Sequence, residues 1–179
     1  MRQDDYIDSL VGCNYFSTID LRSGYWNIPL DVNSRDLTSF TVPDMGKFRF
    51  TRLPQGSSVS AAHFSHILTN ILSDLRKLPI QTSQGKLACI VDYFDNITAS
   101  SEDFKLHMVI LRKLFERLRQ YNLSLNPNKS QFGYKKVEVL GFIVESGKVS
   151  MDPNRIKAIQ KTGPEAGQYF HVRPPIGFI

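Results

Sequence analysis

Residues 87–100, LACIVDYFDNITAS, limit the possible folds of this chain more than any other stretch. A short apolar run of strand length meets a turn-like cluster, DYFDN, and a second run rich in small and β-branched residues follows. That pattern predicts a β-hairpin with its tip near residues 94–96. An apolar hairpin must bury one face against another layer, and the flanking sequence supplies candidates for that layer. Upstream, Ala61, Phe64, Leu68, Ile71 and Leu75 recur at helical spacing, with Ser57 or Ser58 placed to cap the helix. Downstream, Ser100 and Asp103 form a capping-box pattern ahead of a helix. Phe104, Met108, Leu111, Phe115 and Leu118 are expected on its inner face, with Arg112, Lys113, Glu116, Arg117 and Arg119 on the outer one.

The rest of the chain alternates in the same manner. Residues 15–30, YFSTIDLRSGYWNIPL, begin as a strand that Ser23 and Gly24 interrupt. Residues 47–54, KFRFTRLP, alternate apolar with basic and read as a strand or hairpin with one wet face. Asn126, Pro127 and Asn128 form a loop, residues 137–144 are strand-like, and Gly147 turns the chain back. Asp152 and Pro153 begin a further helix carrying Ile156 and Ile159. This order predicts an α+β fold, with helices packed on one face of an antiparallel sheet.

Composition narrows the class. Hydrophobic residues make up 41% and charged residues 22%, as in soluble globular proteins. No apolar run is long enough to span a membrane, and the first residues lack the apolar core of a signal peptide. An intracellular, non-secreted protein is expected. The two cysteines, Cys13 and Cys89, have neither metal-type spacing nor a disulfide framework, and are expected to pack as buried thiols. Of the 22 basic residues, eight lie between residues 105 and 136, with Glu116 the one acid there. That segment carries the charge expected of a polyanion-binding surface.

Two carboxylates attract attention as chemistry. Asp20 lies in a strand-like run among Phe16, Ile19 and Leu21, where a carboxylate is costly to bury without a partner or a cation. Asp95 sits at the tip of the apolar hairpin, where a tight turn presents it outward. Carboxylates from separate strands can hold two Mg²⁺ ions about 3.5–4 Å apart. His63 and His66 form an H-x-x-H pair, but no third ligand is evident, and they are read as ordinary histidines.

The succession FSTIDLRSGYWNIPL, KFRFTRLPQGSSVSAAHF, DYFDNITASSEDF, LSLNPNKSQF and VEVLGFIV resembles the reverse transcriptases of long-terminal-repeat retrotransposons, especially the Ty3/Gypsy class of Pol polyprotein. The resemblance implies a polymerase palm, a ferredoxin-like antiparallel sheet with helices on one face, within a partial fingers/palm region. Residues 1–160 are expected to form this domain, without the start of the fingers, and residues 161–179 an unmatched flexible tail. The implied activity is RNA-directed DNA polymerisation by two-metal nucleotidyl transfer to a primer 3′-hydroxyl. Implied cofactors are two Mg²⁺ ions, with Mn²⁺ able to substitute.

Implied partners are an RNA or DNA template–primer, deoxynucleoside triphosphates and other Pol regions (fingers, thumb and RNase H), with no membrane. Basic residues between 105 and 136, with Lys47, Arg49 and Arg52, are expected to follow the template–primer backbone.

Residue by residue, Asp20 and Asp95 match the catalytic, metal-binding carboxylates, and Leu21 the residue whose carbonyl completes a metal shell. Tyr25 matches the aromatic that crowds the sugar 2′ position. Gln55 and Gly56 match the nucleotide-side LPQG run, and Lys129 the basic residue near the triphosphate. Tyr93, Phe94, Asp95 and Asn96 align with the Tyr-x-Asp-Asp hairpin, and Leu140 and Gly141 with the start of the primer-grip hairpin. One departure stands out: Asn96 occupies the place of the second Asp, and a neutral amide offers a metal only one oxygen. Asp92, three residues before Asp95, is expected to point to the other face of its strand and to be a poor substitute. A catalytically impaired element that only binds nucleic acid is therefore the alternative function, and a protein-contact module a third.

Overall fold

The computed structural model describes residues 3–76, 88–146 and 148–153. Its centre is a four-stranded sheet in the order β4-β5-β1-β6. The strands are β1 (Tyr15–Asp20), β4 (Ala88–Tyr93), β5 (Asn96–Ser101) and β6 (Gln131–Tyr134). Every pairing is antiparallel, and β1 lies against β5 from Tyr15 opposite Ser101 to Asp20 opposite Asn96.

Strand alternation gives the sheet two unlike faces. Ile19, Ala88, Ile90, Ile97 and Ala99 point to one side, into a core built by α2 (Ser60–Ile71), the single turn α3 (Ser73–Arg76) and α4 (Phe104–Gln120). Phe16, Cys89 and Val91 point to the other. There they meet α1 (Gln3–Asp8) and a three-stranded antiparallel sheet of β7 (Lys136–Val139), β8 (Phe142–Glu145) and β9 (Lys148–Met151). A separate ribbon, β2 (Phe40–Val42) with β3 (Gly46–Phe48), completes the described strands, and two 3₁₀ helices, Gly24–Asn27 and Val32–Thr38, lie between β1 and β2.

The expected α+β palm architecture is present, with the two long helices on one face. The structure adds α1, β6 and the small sheet, which covers part of the opposite face, and it alters several local expectations. Residues 47–54 are not one strand: β3 ends at Phe48, and Arg52 makes only an isolated bridge to Pro29. Neither Ser57 nor Ser58 caps α2; Val59 holds the cap position, and its apolar side chain accepts no hydrogen bond from the helix amides. Ser100 is buried inside β5, so there is no capping box. Asp103 itself caps α4, accepting from the amides of Lys105 and Leu106.

The inner face of α4 also differs. Leu106, His107, Ile110, Leu111, Leu114 and Leu118 are buried, whereas Phe104, Met108 and Phe115 are exposed. The helix is apolar on more than one side, and contact with β1, β4 and β5 selects which stripe is covered. The expected strand over 137–144 is two strands joined through Leu140 and Gly141, both at positive φ (52° and 77°). Gly147, the helix expected after Pro153 and the tail at 161–179 lie outside the described residues.

Candidate active site

The sheet register brings the site together. Asp20 is the last residue of β1 and lies directly opposite Asn96, the first residue of β5. Two residues further along each strand, Thr18 faces Thr98, whose hydroxyl is 2.6 Å from that of Tyr6 in α1. By alternation, Asp20 and Asn96 share the face that carries α1 and the small sheet. Asp95 precedes Asn96 in the two-residue loop between Tyr93 and Asn96 and is exposed, as is Asn96, while Asp20 is half-buried.

The loop is held firmly. Phe94 has φ 55°, a left-handed conformation uncommon for a bulky residue. Its ring stands edge-on to Tyr93 at 4.8 Å, and Tyr93 in turn meets Tyr6 edge-on at 5.9 Å. Strain of this kind persists only where neighbours enforce it. Here the Phe94–Tyr93–Tyr6 series of rings anchors the base of the turn that carries Asp95.

Asp20 is fixed on its other side by the loop after α4. Its carbonyl accepts from the Asn126 amide (2.8 Å), and its own amide donates to the Ser130 hydroxyl (3.2 Å). Leu21 bridges Leu125, and the Arg22 amide donates to the Ser124 carbonyl (2.7 Å). Lys129 is exposed on this same tight turn, where its amide donates to the Asn126 carbonyl. The turn thus places a cation on the loop that grips Asp20.

Tyr25 lies in a single turn of 3₁₀ helix, Gly24–Asn27, and stacks on Phe64 of α2 with ring centroids 4.9 Å apart. Gly24 permits that approach: a Cβ there would come within 2.7 Å of the Phe64 ring. After this turn the chain pairs with the stretch leading to Gln55, since the Leu53 amide donates to the Ile28 carbonyl (2.9 Å) and the Leu30 amide to the Thr51 carbonyl (3.0 Å). Gln55 and Gly56 are exposed just before α2, with Gly56 at φ 85°.

Asp92 takes no part in this arrangement. It points to the helix face, 2% exposed, with its carboxylate 2.8 Å from Arg76 and accepting from the Thr69 hydroxyl at 3.1 Å. Burial pushes its carboxyl above the usual carboxylate range, while Arg76 and Thr69 pull it down. It serves the core, as its strand position required. Among the described residues no group of three His, Cys, Asp or Glu is placed to hold a metal ion. His63 is exposed, and His66 pairs with Asn70 on its own helix.

The basic segment is split by the fold. α4 lies behind the sheet, on the face away from Asp20 and Asn96, so Arg112, Lys113 and Arg119 do not border the carboxylates. Arg117 is committed to Asp74 (2.8 Å) and the Ile71 carbonyl (2.6 Å), and Arg49 to Asp36. Of that segment, Lys129 sits on the loop that is hydrogen-bonded to Asp20, and the Lys135 ammonium lies 5.9 Å from the centre of the Tyr15 ring in β1.

Residues 1–144 match the family described as reverse transcriptase (RNA-dependent DNA polymerase). The chain belongs to this family. It is 35% identical over 159 residues to the retrovirus-related Pol polyprotein from transposon 412 of Drosophila melanogaster, covering 89% of this chain and 12% of that one. It is 34% identical over 169 residues to the Pol polyprotein from transposon gypsy of the same fly, covering 94% of this chain and 15% of that one. The chain thus spans a small fraction of these relatives. Among solved structures, foamy viral protease-reverse transcriptase matches with a TM-score of 0.73 in its complex with an RNA/DNA hybrid and 0.75 with double-stranded DNA. Both are 28% identical over 89% of this chain, covering 20% and 26% of those chains. The fold of this reverse transcriptase domain is accordingly the palm.

Several supporting residues of the domain were not legible in the sequence. Ser130 and Asn126 hold Asp20 through backbone contacts that no motif announces. Tyr6, remote in sequence, braces the hairpin through Thr98 and Tyr93. His107 lies fully buried behind β1 and β5, its Nε2 2.7 Å from the Ser17 hydroxyl and its Nδ1 3.1 Å from that of Ser101.

Proposed function

We propose that this domain is the RNA-directed DNA polymerase part of a retrotransposon Pol protein, extending a primer 3′-hydroxyl with deoxynucleoside triphosphates on an RNA or DNA template. The observation that carries this reading is the register that sets Asp20 opposite Asn96, one residue from Asp95, at one end of one sheet face. Oxygen donors of this type suit a hard cation that leaves most of its shell to water and phosphate. Asp20 and Asp95 are the residues that would hold Mg²⁺, or Mn²⁺ in its place, with the Leu21 carbonyl and the Asn96 amide oxygen as neutral donors. The metal would supply charge neutralisation at the reacting phosphate.

The chain's own residues position the reactants. Tyr25, backed by Phe64, walls the sugar and disfavours a 2′-hydroxyl. Gln55 and Gly56 border the incoming nucleotide, Lys129 meets the triphosphate, and the Leu140–Gly141 turn steadies the primer end. Fixed donors and charges of this kind lower the barrier by orientation and electrostatics. The foamy viral relatives bound to an RNA/DNA hybrid and to double-stranded DNA support a duplex partner.

Asn96 favours a second reading, in which the domain binds nucleic acid but turns over poorly. Position 96 directly faces Asp20, so the missing charge lies at the centre of the site. Primer extension on poly(rA)/oligo(dT), in Mg²⁺ and in Mn²⁺, separates the two. Extension that vanishes in Asp20→Asn supports the polymerase. Asn96→Asp is expected to raise the rate by roughly tenfold or more, a barrier change of about 1.4 kcal/mol. Salt-sensitive duplex binding with no extension by either form would establish the binding-only reading.

A further inference from the structure

α4 carries a second apolar stripe that nothing among the described residues covers. Phe104, Met108 and Phe115 fall beside one another on a single face of the helix. They are 49%, 52% and 36% exposed, which sets them apart from the buried stripe against the sheet. The stripe follows the seam between α4 and β6, the edge strand of the central sheet. Phe115 meets Phe132 of β6 edge-on, with ring centroids 5.9 Å apart, and a Cβ on Gly133 would touch the Phe104 ring at 3.7 Å. Two hollows of about 450 and 660 Å³ open along the same helix. Phe115 and Arg119 line both, so the two are continuous.

The charge around these hollows is one-sided. Arg112, Lys113 and Arg119 line them, all exposed and none in an ion pair among the described residues. Glu116 is the single acid there. These cations lie across the sheet from Asp20 and Asn96, so the carboxylate site makes no use of them. A contiguous exposed apolar surface rimmed by charge marks a place that another molecule covers. Nucleic acid would satisfy the cations and leave the apolar lining unmatched, since its contacts go mainly to phosphate and sugar and its interfaces are the more polar. Phenylalanine, methionine and arginine together are what the centre of a protein–protein interface is rich in.

We propose that the outer face of α4 docks a helical protein segment that is apolar on one side and acidic on its flanks. Such a helix lies along α4 and sets its own apolar residues, three and four apart, against Phe104, Met108 and Phe115. Its flanking carboxylates then meet Arg112, Lys113 and Arg119. Phe115 is the anchor, because it lines both hollows and Phe132 backs its ring. The cations select the occupant: an acidic segment is drawn in and a basic one is repelled. The occupant sits behind the sheet and leaves the Asp20 side open, so docking does not depend on whether the domain polymerises DNA.

Fluorescence anisotropy of the 179-residue chain with a synthetic peptide tests the proposal. The probe is a labelled helix of about 16 residues, enough to span α4, with leucine on one face and glutamate on its flanks. The same peptide with lysine for glutamate is the control. The glutamate form should bind at least about tenfold more tightly than the lysine form, and its affinity should fall as salt rises. Arg112→Glu combined with Arg119→Glu should reverse the preference between the two peptides. Phe115→Ala should weaken the glutamate form by about tenfold. All three side chains are exposed, and circular dichroism confirms that each variant is folded. Equal affinity for the two peptides, or unchanged binding in either variant, would overturn the proposal. So would an RNA oligonucleotide that binds more tightly than the glutamate peptide and is released by the charge reversal, which makes this a nucleic-acid surface. A dimer in sedimentation that the charge reversal dissociates would overturn it as well, the occupant then being a second copy of the chain.

Discussion

His107 makes the stability of this domain depend on acid in a way that can be worked out bond by bond. Ser101 donates its hydroxyl proton to the Asp103 carbonyl (2.9 Å), so its oxygen accepts from Nδ1–H of His107. Nε2 must then carry the lone pair, accepting from the Ser17 hydroxyl, while Ser17 accepts from the Gly133 amide (2.9 Å). The network closes only around a neutral ring. Protonation would turn Nε2–H against Ser17 and leave a buried hydroxyl proton without an acceptor.

Burial lowers the imidazole from 6.5 to about 4. Between those values the unfolded chain binds a proton that the folded one refuses, so stability falls as pH drops from 6.5 and the loss is complete near 4. A shift of this size corresponds to about 3 kcal/mol, of which about 2 kcal/mol is gone by pH 5. Asp92 works in the opposite sense: its raised carboxyl gives a contribution that is present at low pH and lost as pH rises through its folded value. Urea unfolding at intervals from pH 7 to 4, for the parent and for His107→Gln, isolates the histidine. The parent should lose stability with a slope approaching 1.4 kcal/mol per pH unit beyond that of the variant. Equal slopes for the two proteins across that window would refute the neutral-ring network.

Three further outcomes follow from single contacts. Arg76→Ala should cost about 3–5 kcal/mol by leaving the buried Asp92 carboxylate without its ion pair, and adding Asp92→Asn should recover much of it in the same urea assay. Gly24→Ala drives a Cβ to within 2.7 Å of the Phe64 ring; a loss of about 1–3 kcal/mol is expected by thermal melting, and an unchanged midpoint would show that the ring yields freely. Asp103→Ala removes the cap that Lys105 and Leu106 use, which should cost about 1 kcal/mol and increase hydrogen exchange at those two amides.

Much of the site is legible in the sequence because its parts are local. A tight hairpin is set by its own turn and flanking apolar runs, so the tip at Phe94 and Asp95 needs no distant residue to define it. Strand alternation alone sends Asp92 away from Asp95, and the buried pair with Arg76 follows. The ordered motifs from Asp20 to Gly141 likewise identify the family because identity is carried by residue types and spacing.

Long-range pairing decided the rest. The sequence offers no register, yet register is what sets the Asn96 amide directly opposite the Asp20 carboxylate. α4 presents apolar residues on more than one side, so its own pattern could not choose between Phe104, Met108 and Phe115 and the stripe that β1, β4 and β5 cover. The same packing turns a basic stretch of sequence away from the carboxylates. Cys13 and Cys89, unremarkable by spacing, pack in one apolar cluster because α1 folds back over β4. Periodicity and turn chemistry act over a few residues and are written in the chain; which faces meet depends on burial shared among segments far apart, and only the assembled sheet settles it.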